Sequence, residues 1–184
     1  MDRILIVGCS GSGKSTLSRK LSERTSLPVV HLDQLFWQSG WVSVSREVFD
    51  QRLSDELEKP KWIIDGNFDR TLPLRLARCD TAICLDYSRR TCLTGIVKRV
   101  AASYGHTRPD MAEGCPERVD WSFLKWVWNF PKKQLPVLRQ ALADAEKNGV
   151  RVLRFKNRKA CREWLESLPA GTVNSNDKCD PVAI

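Results

Sequence analysis

The sequence predicts an α/β protein with a parallel sheet, and three observations favour that fold class. Short apolar runs alternate with segments of helical spacing along most of the 184 residues. The first apolar run, residues 4–7, leads directly into a glycine-rich loop that opens a helix. Helical segments separate the later strands from one another, which is typical of parallel sheets with right-handed crossovers.

The elements of the first half follow in a regular order. After the strand at 4–7, Leu17 and Leu21 are spaced one turn apart and predict a helix over residues 14–25. Ser45 is typical of a helix N-cap, with apolar positions continuing to Leu57. The remaining predictions are strands at 28–31, 61–65 and 81–86, followed by a helix from 88 to 103.

The second half contains a long insert between the fourth and fifth strands. Glycine and proline predict a loop over residues 104–117, and helices are expected at 120–130 and 132–147, broken by Pro131 and bent near Pro136. A fifth strand is predicted at 150–155 and a last helix at 159–168. Such inserts are often mobile lids, and we assign the lid to residues 104–131.

One domain, residues 1–168, accounts for all of these elements, and the polar residues 169–184 are expected to form a disordered tail. No apolar run has the length of a membrane span, and the N-terminus lacks the features of a signal peptide. We therefore expect a cytoplasmic protein with no membrane partner. The seven cysteines form no C-x-x-C pair and no zinc spacing with the two histidines, which favours reduced thiols.

The first loop matches the phosphate-binding pattern G-x-x-x-x-G-K-[ST]. Glycines allow positive φ angles, so that successive N–H groups turn toward phosphate oxygens at the start of a helix. In this motif the lysine reaches the β- and γ-phosphates and the hydroxyl binds Mg²⁺. The loop therefore predicts an ATP·Mg²⁺ site at Gly8, Cys9, Ser10, Gly11, Ser12, Gly13, Lys14 and Ser15, with Lys14 catalytic and Ser15 a metal ligand.

Carboxylates follow three of the predicted strands, where open α/β sheets bind their ligands. Asp65 and Asp86 each end a strand and compete for the metal site; we favour Asp65 because residues 66–68 suit a functional loop. Asp33 follows the second strand and could act as a base for a substrate hydroxyl, or could cap a short helix. Trp37 and Trp41 nearby could stack on a planar acceptor or belong to the core.

Arginines around the insert are candidates for binding the transferred phosphate, because guanidinium matches phosphate oxygens in a bidentate manner. We select Arg99, late in the helix before the loop, and Arg108 inside the loop, with Arg70 as a weaker candidate. The aromatic run at residues 121–130 could stack on bases but is more typical of packing. The net charge of +8 leaves nucleic-acid binding open, although no DNA- or RNA-binding signature is present.

Together these residues resemble the nucleoside monophosphate kinase group of P-loop proteins, and more closely the adenylate-kinase-related FlaR-type DNA topology modulation proteins. The resemblance covers residues 1–168. The segments that carry it are residues 8–16, the pattern His31-x-Asp33-x-x-x-Trp37-x-x-x-Trp41, residues 62–68, Arg108-Pro109-Asp110 with Cys115, and residues 153–157.

The resemblance implies a three-layer fold with a five-stranded parallel sheet in the order 2-3-1-4-5, and a lid between the fourth and fifth strands. It extends the ATP·Mg²⁺ site to Thr16, places adenine near Lys156, Asn157 and Arg158, and makes Arg99 a contact of adenine or phosphate. One departure concerns the acceptor. Adenylate kinases have Asp-Gly-Phe-Pro-Arg where this chain has residues 65–70, with the arginine displaced by one position. AMP is therefore in doubt as the acceptor.

The sequence thus predicts a kinase that transfers the γ-phosphate of ATP to a small molecule, which is a nucleotide, a nucleoside or another hydroxyl compound. The alternative is an ATP-dependent regulator that binds nucleic acid and modulates DNA topology. A GTPase switch is not predicted, because the guanine-reading pattern Asn-Lys-x-Asp is absent. The sequence does not determine the oligomeric state.

Overall fold

A five-stranded parallel sheet forms the centre of the molecule in the computed structural model, which describes residues 1–169. Its strands are β1 (Arg3–Gly8), β2 (Val29–His31), β5 (Trp62–Asp65), β6 (Thr81–Leu85) and β7 (Arg151–Phe155). The order is β2-β5-β1-β6-β7, which is 2-3-1-4-5 when only the strands of this sheet are counted. The predicted three-layer fold and sheet are confirmed.

The described part of the chain has eight α-helices. They are α1 (Lys14–Thr25), α2 (Leu32–Phe36), α3 (Arg46–Leu57), α4 (Leu72–Arg78), α5 (Arg89–Ser103), α6 (Trp121–Lys133), α7 (Leu135–Lys147) and α8 (Arg158–Ser167). Side chains cap several of them, including Ser45 as predicted. The hydroxyl of Ser45 accepts a hydrogen bond from the Val48 N–H at the start of α3, and Ser88 does the same for Thr91 in α5.

The core lies on both faces of the central strands. Residues 4–7, 62–64 and 82–85 are almost completely inaccessible, as continuous apolar runs in parallel strands should be. The strand register brings chemically active residues to one edge of this core. His31 on β2 lies beside Asp65 on β5, and Asp65 lies beside Ile6 on β1, just before the glycine-rich loop.

The insert differs from the prediction at its prolines. Helix α6 continues through Pro131 to Lys133, and the break comes at Gln134. Pro136 does not bend a helix, because it lies in the first turn of α7, where a missing N–H costs nothing. The helices of the insert are therefore divided three residues later than the sequence suggested.

Three elements were not predicted: α2, α4 and a small antiparallel hairpin of β3 (Trp37–Gln38) and β4 (Val42–Ser43). All three are too short to show a periodic pattern. No helix within residues 1–169 is long and apolar enough to cross a membrane. The six cysteines of this part are free thiols. The predicted tail at 169–184 lies, apart from its first residue, outside the described residues.

Candidate active site

The glycine-rich loop connects β1 to α1 and lines a cavity of about 1100 Å³ at the carboxyl edge of the sheet. Gly8, Gly11 and Gly13 all have positive φ angles, between 77° and 139°. A side chain at Gly11 would meet the carbonyl of Cys92 on α5 at 2.2 Å, so glycine is needed here for close packing as well as for conformation. The cavity is lined by all loop residues from Ser10 to Thr16, whereas Gly8 and Cys9 do not line it.

Two polar side chains of the loop are arranged for an anion. The ammonium group of Lys14 donates to the carbonyls of Gly8 and Cys9, at 3.0 and 3.3 Å, and so lies across the loop. The hydroxyl of Ser12 is buried, and it has no hydrogen-bond partner among the described residues although the side chain lines the cavity. An unpaired buried hydroxyl is costly, and a phosphate oxygen would satisfy it.

The side chain of Cys9 is buried and does not line the cavity. A hydrogen bond with Cys92 and burial raise the pKa of the Cys9 thiol far above its usual value. The thiol therefore stays protonated and acts as a small core residue.

Asp65 ends β5 and lies on the cavity with both carboxylate oxygens hydrogen-bonded. The Ser18 hydroxyl of α1 donates to Oδ2 at 2.5 Å, and Nδ1 of His31 lies 3.0 Å from Oδ1. Burial opposes the charged imidazole, but the hydrogen bond and the charge of Asp65 outweigh it and raise the pKa of His31. These contacts fix the orientation of the carboxylate.

Asp86, the rival of Asp65, lies elsewhere. Its Oδ2 accepts from Nε and Nη2 of Arg139 on α7, at 3.0 and 2.7 Å, and the residue is not part of the cavity lining. The ion pair with Arg139, both of whose donors meet this one oxygen, explains the carboxylate without a metal.

Asp33 lies in the first turn of α2, with His31 rather than Asp33 at the N-cap. Its side chain lines the cavity and makes no hydrogen bond or ion pair with residues 1–169. Burial raises the pKa of Asp33; the charges of Asp65 and Asp110 act in the same direction, against those of Lys14 and Arg108. A carboxyl group with a raised pKa in a cleft is a common feature of proton acceptors.

The arginines selected from the sequence meet at the lid. Nε of Arg99 on α5 and Nε of Arg108 in the loop lie 3.0 and 2.8 Å from the same oxygen, Oε2 of Glu117. Nη1 of Arg108 also donates to both oxygens of Asp110, at 2.9 and 2.7 Å. Both arginines line the cavity. Burial, and next the charge of Arg108, lower the pKa of Arg99.

Asp110 lies where the lid comes close to the glycine-rich loop. Burial opposes ionisation of its carboxyl group, but the charge of Arg108 and a hydrogen bond with the Ser15 hydroxyl hold the pKa of Asp110 below its usual value. Asp110 therefore lies close to Ser15, the residue that the sequence assigns to the metal site, and both line the cavity.

The lid loop also docks on the segment that contains the small hairpin. Four hydrogen bonds join residues 109–116 to residues 34–41. They run from Gln34 to the Pro109 carbonyl, from Trp41 to the Pro116 carbonyl, from the Cys115 thiol to the Gln38 carbonyl and from the Gly40 N–H to the Gly114 carbonyl. The lid loop, whose residues 108–110 line the cavity, is thus held in place by the hairpin segment.

The loop after β7 contributes one of its two candidate residues to the cavity. Nη2 of Arg158 donates to the carbonyl of Gly11 at 3.2 Å and the side chain lines the cavity. Asn157 does not line it, because its side chain caps α8 by accepting from the Ala160 N–H at 2.9 Å.

Three other candidates lie away from the cavity. Arg70 pairs with Asp50 on the exposed face of α3, through Nη2 and Oδ1 at 2.5 Å. Trp37 and Trp41 contact each other, and Trp41 contacts the lid, so neither provides a surface for a bound acceptor within the cavity. In the aromatic run, Val127 and Phe130 are buried while Trp121 and Trp128 are 79% and 54% exposed, so packing explains only part of it.

Sequence reasoning missed Glu117, Asp110 and His31 as site residues, and it missed Arg75 as their support. Arg75 is completely buried and donates to the carbonyls of Gly66, Asn67 and Phe68, the loop that follows Asp65. Burial lowers the pKa of Arg75 to about 10, so it remains charged at neutral pH. The patterns Arg108-x-Asp110 and His31-x-Asp33 were signals for Asp110 and His31, whereas Glu117 and Arg75 have no local signal.

The residues present fit a nucleoside triphosphate with Mg²⁺. The unpaired Ser12 hydroxyl and the cradle of positive-φ glycines suit phosphate oxygens. Ser15, Asp65 and Asp110 supply hard oxygen donors of the kind that Mg²⁺ prefers. Since both oxygens of Asp65 already accept hydrogen bonds, this carboxylate suits a role through metal-bound water.

Comparison with known proteins supports this interpretation of the fold. A family model described as "AAA domain" matches residues 4–101. None of the curated proteins matches the sequence. Among solved structures, shikimate kinase from Bacteroides thetaiotaomicron has a TM-score of 0.54 at 16% identity, over 90% of this chain and 94% of that one.

Two further structures give similar values. Shikimate kinase from Acinetobacter baumannii in complex with shikimate has a TM-score of 0.60 at 14% identity, over 90% of this chain and 89% of that one. A gluconokinase from Sinorhizobium meliloti 1021 has a TM-score of 0.52 at 14% identity, covering 90% and 87%. At these identities the likeness shows a common fold.

Proposed function

This chain belongs to the AAA domain family, and from that membership and the cavity described above we propose that it is a kinase transferring the γ-phosphate of ATP to a hydroxyl group of a small molecule. The observation that carries the proposal is the convergence of three functions on one cavity. The phosphate loop with Lys14, the unpaired carboxyl group of Asp33, Arg99 of α5 and Arg108 of the lid all line it. The structures of similar fold come from kinases of small molecules, which supports the same reaction class.

Each of these groups has a role in the proposed reaction. Lys14 and the loop N–H groups bind the phosphates, and Arg99 and Arg108 stabilise the negative charge that spreads over the transferred group. Asp33 accepts or orients the proton of the acceptor hydroxyl. Mg²⁺, when bound, neutralises charge between the β- and γ-phosphates. Ser15 would ligate it, and Asp65 would hold its water.

Adenine would lie beside the loop after β7. Arg158 already contacts the phosphate loop there and Lys159 lines the same cavity, which favours Arg158 over Asn157 as a nucleotide contact. Thr16 lines the cavity at the start of α1 and would be a further phosphate contact.

The acceptor is a hydroxyl compound without a phosphate of its own. Residues 29–66 contribute Asp33 and Asp65 to the cavity lining but no lysine or arginine; the cations that act on Asp33, Lys14 and Arg108, belong to the phosphate loop and the lid. Arg70, which would bind an acceptor phosphate, pairs with Asp50 outside the cavity. A nucleoside or a neutral polyol therefore fits this part of the lining better than a nucleoside monophosphate.

Phosphoryl transfer with ATP·Mg²⁺ tests the proposal, using nucleosides, their monophosphates and small hydroxyl metabolites as acceptors. We expect a stoichiometric phosphorylated product from a compound without phosphate, abolished by Lys14→Ala and unaffected by Lys133→Ala on the exposed face of α6. Equal turnover by the wild type and Lys14→Ala would refute the assignment. Preference for a monophosphate would refute the acceptor class alone.

Membership in the FlaR-type group, and with it a regulatory role on DNA, is the other function that the sequence left open. The half-exposed Trp128 and the exposed Trp121 are the features that favour it. Arg89 stacks on Trp128, with its guanidinium carbon 4.4 Å from the ring centroid, so one face of the Trp128 ring is already covered.

A further inference from the structure

A buried carboxylate in the lid joins the two arginines assigned to the transferred phosphate. Glu117 is 5% exposed, and both of its oxygens face guanidinium groups. Arg99 approaches side-on, with Nη2 donating to Oε1 at 3.2 Å and Nε lying 3.0 Å from Oε2. Arg108 reaches the same Oε2 with its Nε, at 2.8 Å.

The backbone of Glu117 is fixed by hydrogen bonds as well. Its N–H donates to the carbonyl of His106 at 3.0 Å, and its carbonyl accepts from the N–H of Gly105 at 2.9 Å. These bonds join the two ends of the lid loop. Because Arg99 belongs to α5 and Arg108 to the loop, the carboxylate couples the lid to the body of the protein.

The arrangement leaves donors on both arginines for a ligand. Nη1 of Arg99 and Nη2 of Arg108 make no hydrogen bond within residues 1–169, and both side chains line the cavity. Two guanidinium groups at this separation repel each other, which is why the charge of Arg108 lowers the pKa of Arg99. A shared carboxylate offsets that repulsion while occupying only one edge of each group.

We propose that Glu117 is a positioning residue that holds Arg99 and Arg108 side by side, so that their remaining N–H groups bind the γ-phosphate of ATP. The inference rests on the proposed nucleotide site. The alternative is that Glu117 competes with the phosphate for the two arginines. In that case the carboxylate would have to release them before ATP could bind. The two roles predict opposite signs when the carboxylate is neutralised.

The preference for ATP over ADP measures this role, because only ATP carries the γ-phosphate. Dissociation constants of both Mg²⁺ nucleotides are measured by calorimetry for the wild type, Glu117→Gln and Glu113→Gln, an exposed glutamate of the same loop. We expect Glu117→Gln to reduce the preference for ATP by roughly tenfold. Glu113→Gln should leave it unchanged. An unchanged or larger preference in Glu117→Gln overturns the proposal, and so does a wild type that binds both nucleotides equally.

A second comparison separates positioning from a general structural effect. Where Arg99 and Arg108 are both alanine, Glu117→Gln should change the ATP preference no further, because the carboxylate acts through them. A further loss in that background contradicts the proposal. If Glu117→Gln fails to fold, Glu117→Asp replaces it; the displaced carboxylate should lose a smaller part of the preference. Since no acceptor is used, absence of phosphoryl transfer would refute the kinase assignment without affecting this result.

Discussion

At the scale of single residues, burial and pairing divide the carboxylates of this protein into different tasks. Both oxygens of Asp65 are held, by Ser18 and His31, and Oδ2 of Asp86 is paired with Arg139. Asp33 lines the same cavity without a partner among residues 1–169, and burial raises its pKa. A carboxylate whose ionised form is destabilised in the folded protein is suited to accept a proton, and its ionisation should lower the stability of the protein.

Replacing Asp33 by asparagine should therefore stabilise the protein while impairing transfer. With a folded-state pKa above the unfolded value, stability is lost as pH rises from the usual aspartate pKa of about 3.9 to the folded value, and the loss persists at neutral pH. Asp33→Asn removes that cost, so its melting temperature at pH 7 should exceed that of the wild type, and the difference should vanish below about pH 3.9. Thermal unfolding between pH 3 and 8 measures this.

The rate of the same variant tests the assigned role. We expect transfer to fall by roughly 10²–10⁴ in Asp33→Asn, as for loss of a general base. Asp55→Asn, an exposed carboxyl group on α3, is the control and should change neither property. A variant that is less stable at pH 7, or as active as the wild type, would contradict this account of Asp33.

At the scale of elements, the lid and the hairpin segment hold each other through backbone groups. Gly114 shows how closely they approach: a β-carbon at this position would lie 2.1 Å from the hydroxyl of Ser39. The neighbouring glycine of the lid, Gly105, has the same positive φ, 74° against 73°, but no atom lies near its missing side chain. A side chain at Gly105 therefore adds backbone strain alone, whereas a side chain at Gly114 adds backbone strain and a clash between the two segments.

Gly114→Ala should loosen the lid more than Gly105→Ala. Both variants carry a backbone strain of about 1–2 kcal/mol, but only Gly114→Ala adds the clash with Ser39. Hydrogen exchange of the amides in residues 108–116 and of Gly40 should be faster in Gly114→Ala than in Gly105→Ala. Adding Ser39→Gly should slow it again. Equal exchange in the two single variants would show that the lid does not depend on this contact.

At the scale of the whole molecule, the net charge is +8, and many of the lysines and arginines line the cavity or form ion pairs. The cations of α1, α5, α8 and the lid surround the cavity; they are Lys14, Arg19, Lys20, Lys98, Arg99, Arg108, Arg158, Lys159 and Arg162. This distribution suits a triphosphate that enters the cavity better than the extended backbone of a nucleic acid.

We therefore expect the whole protein to bind DNA weakly and without the salt dependence of a protein that contacts many phosphates. Fluorescence anisotropy with duplex and single-stranded DNA at 50 and 200 mM salt measures it. A specific DNA-binding protein with 6–10 phosphate contacts would lose about 10³–10⁵ in affinity over this range. A loss of that size would favour the regulatory function over the kinase.

Part of the fold and of the site could be predicted because it depends on neighbours in sequence. The phosphate loop, the cap at Ser45 and the strand predicted at residues 61–65 each have a short-range pattern; the structure has the loop and the cap in those places and the strand at Trp62–Asp65. The helices around Pro131 and Pro136 were misdivided, because a proline breaks, bends or starts a helix according to its position, and tertiary packing fixes that position.

By itself, the sequence determined an α/β fold with a phosphate loop after its first strand, since apolar periodicity and a contiguous motif are local properties. Only the tertiary structure decided which strand-end carboxylate faces the cavity, because Asp65 and Asp86 look alike until the strand order sets β5 beside β2 and leaves Asp86 to Arg139. The same holds for Glu117, whose role depends on the two arginines that α5 and the lid place beside it. Distances between residues far apart in the chain are set by packing, and no local pattern records them.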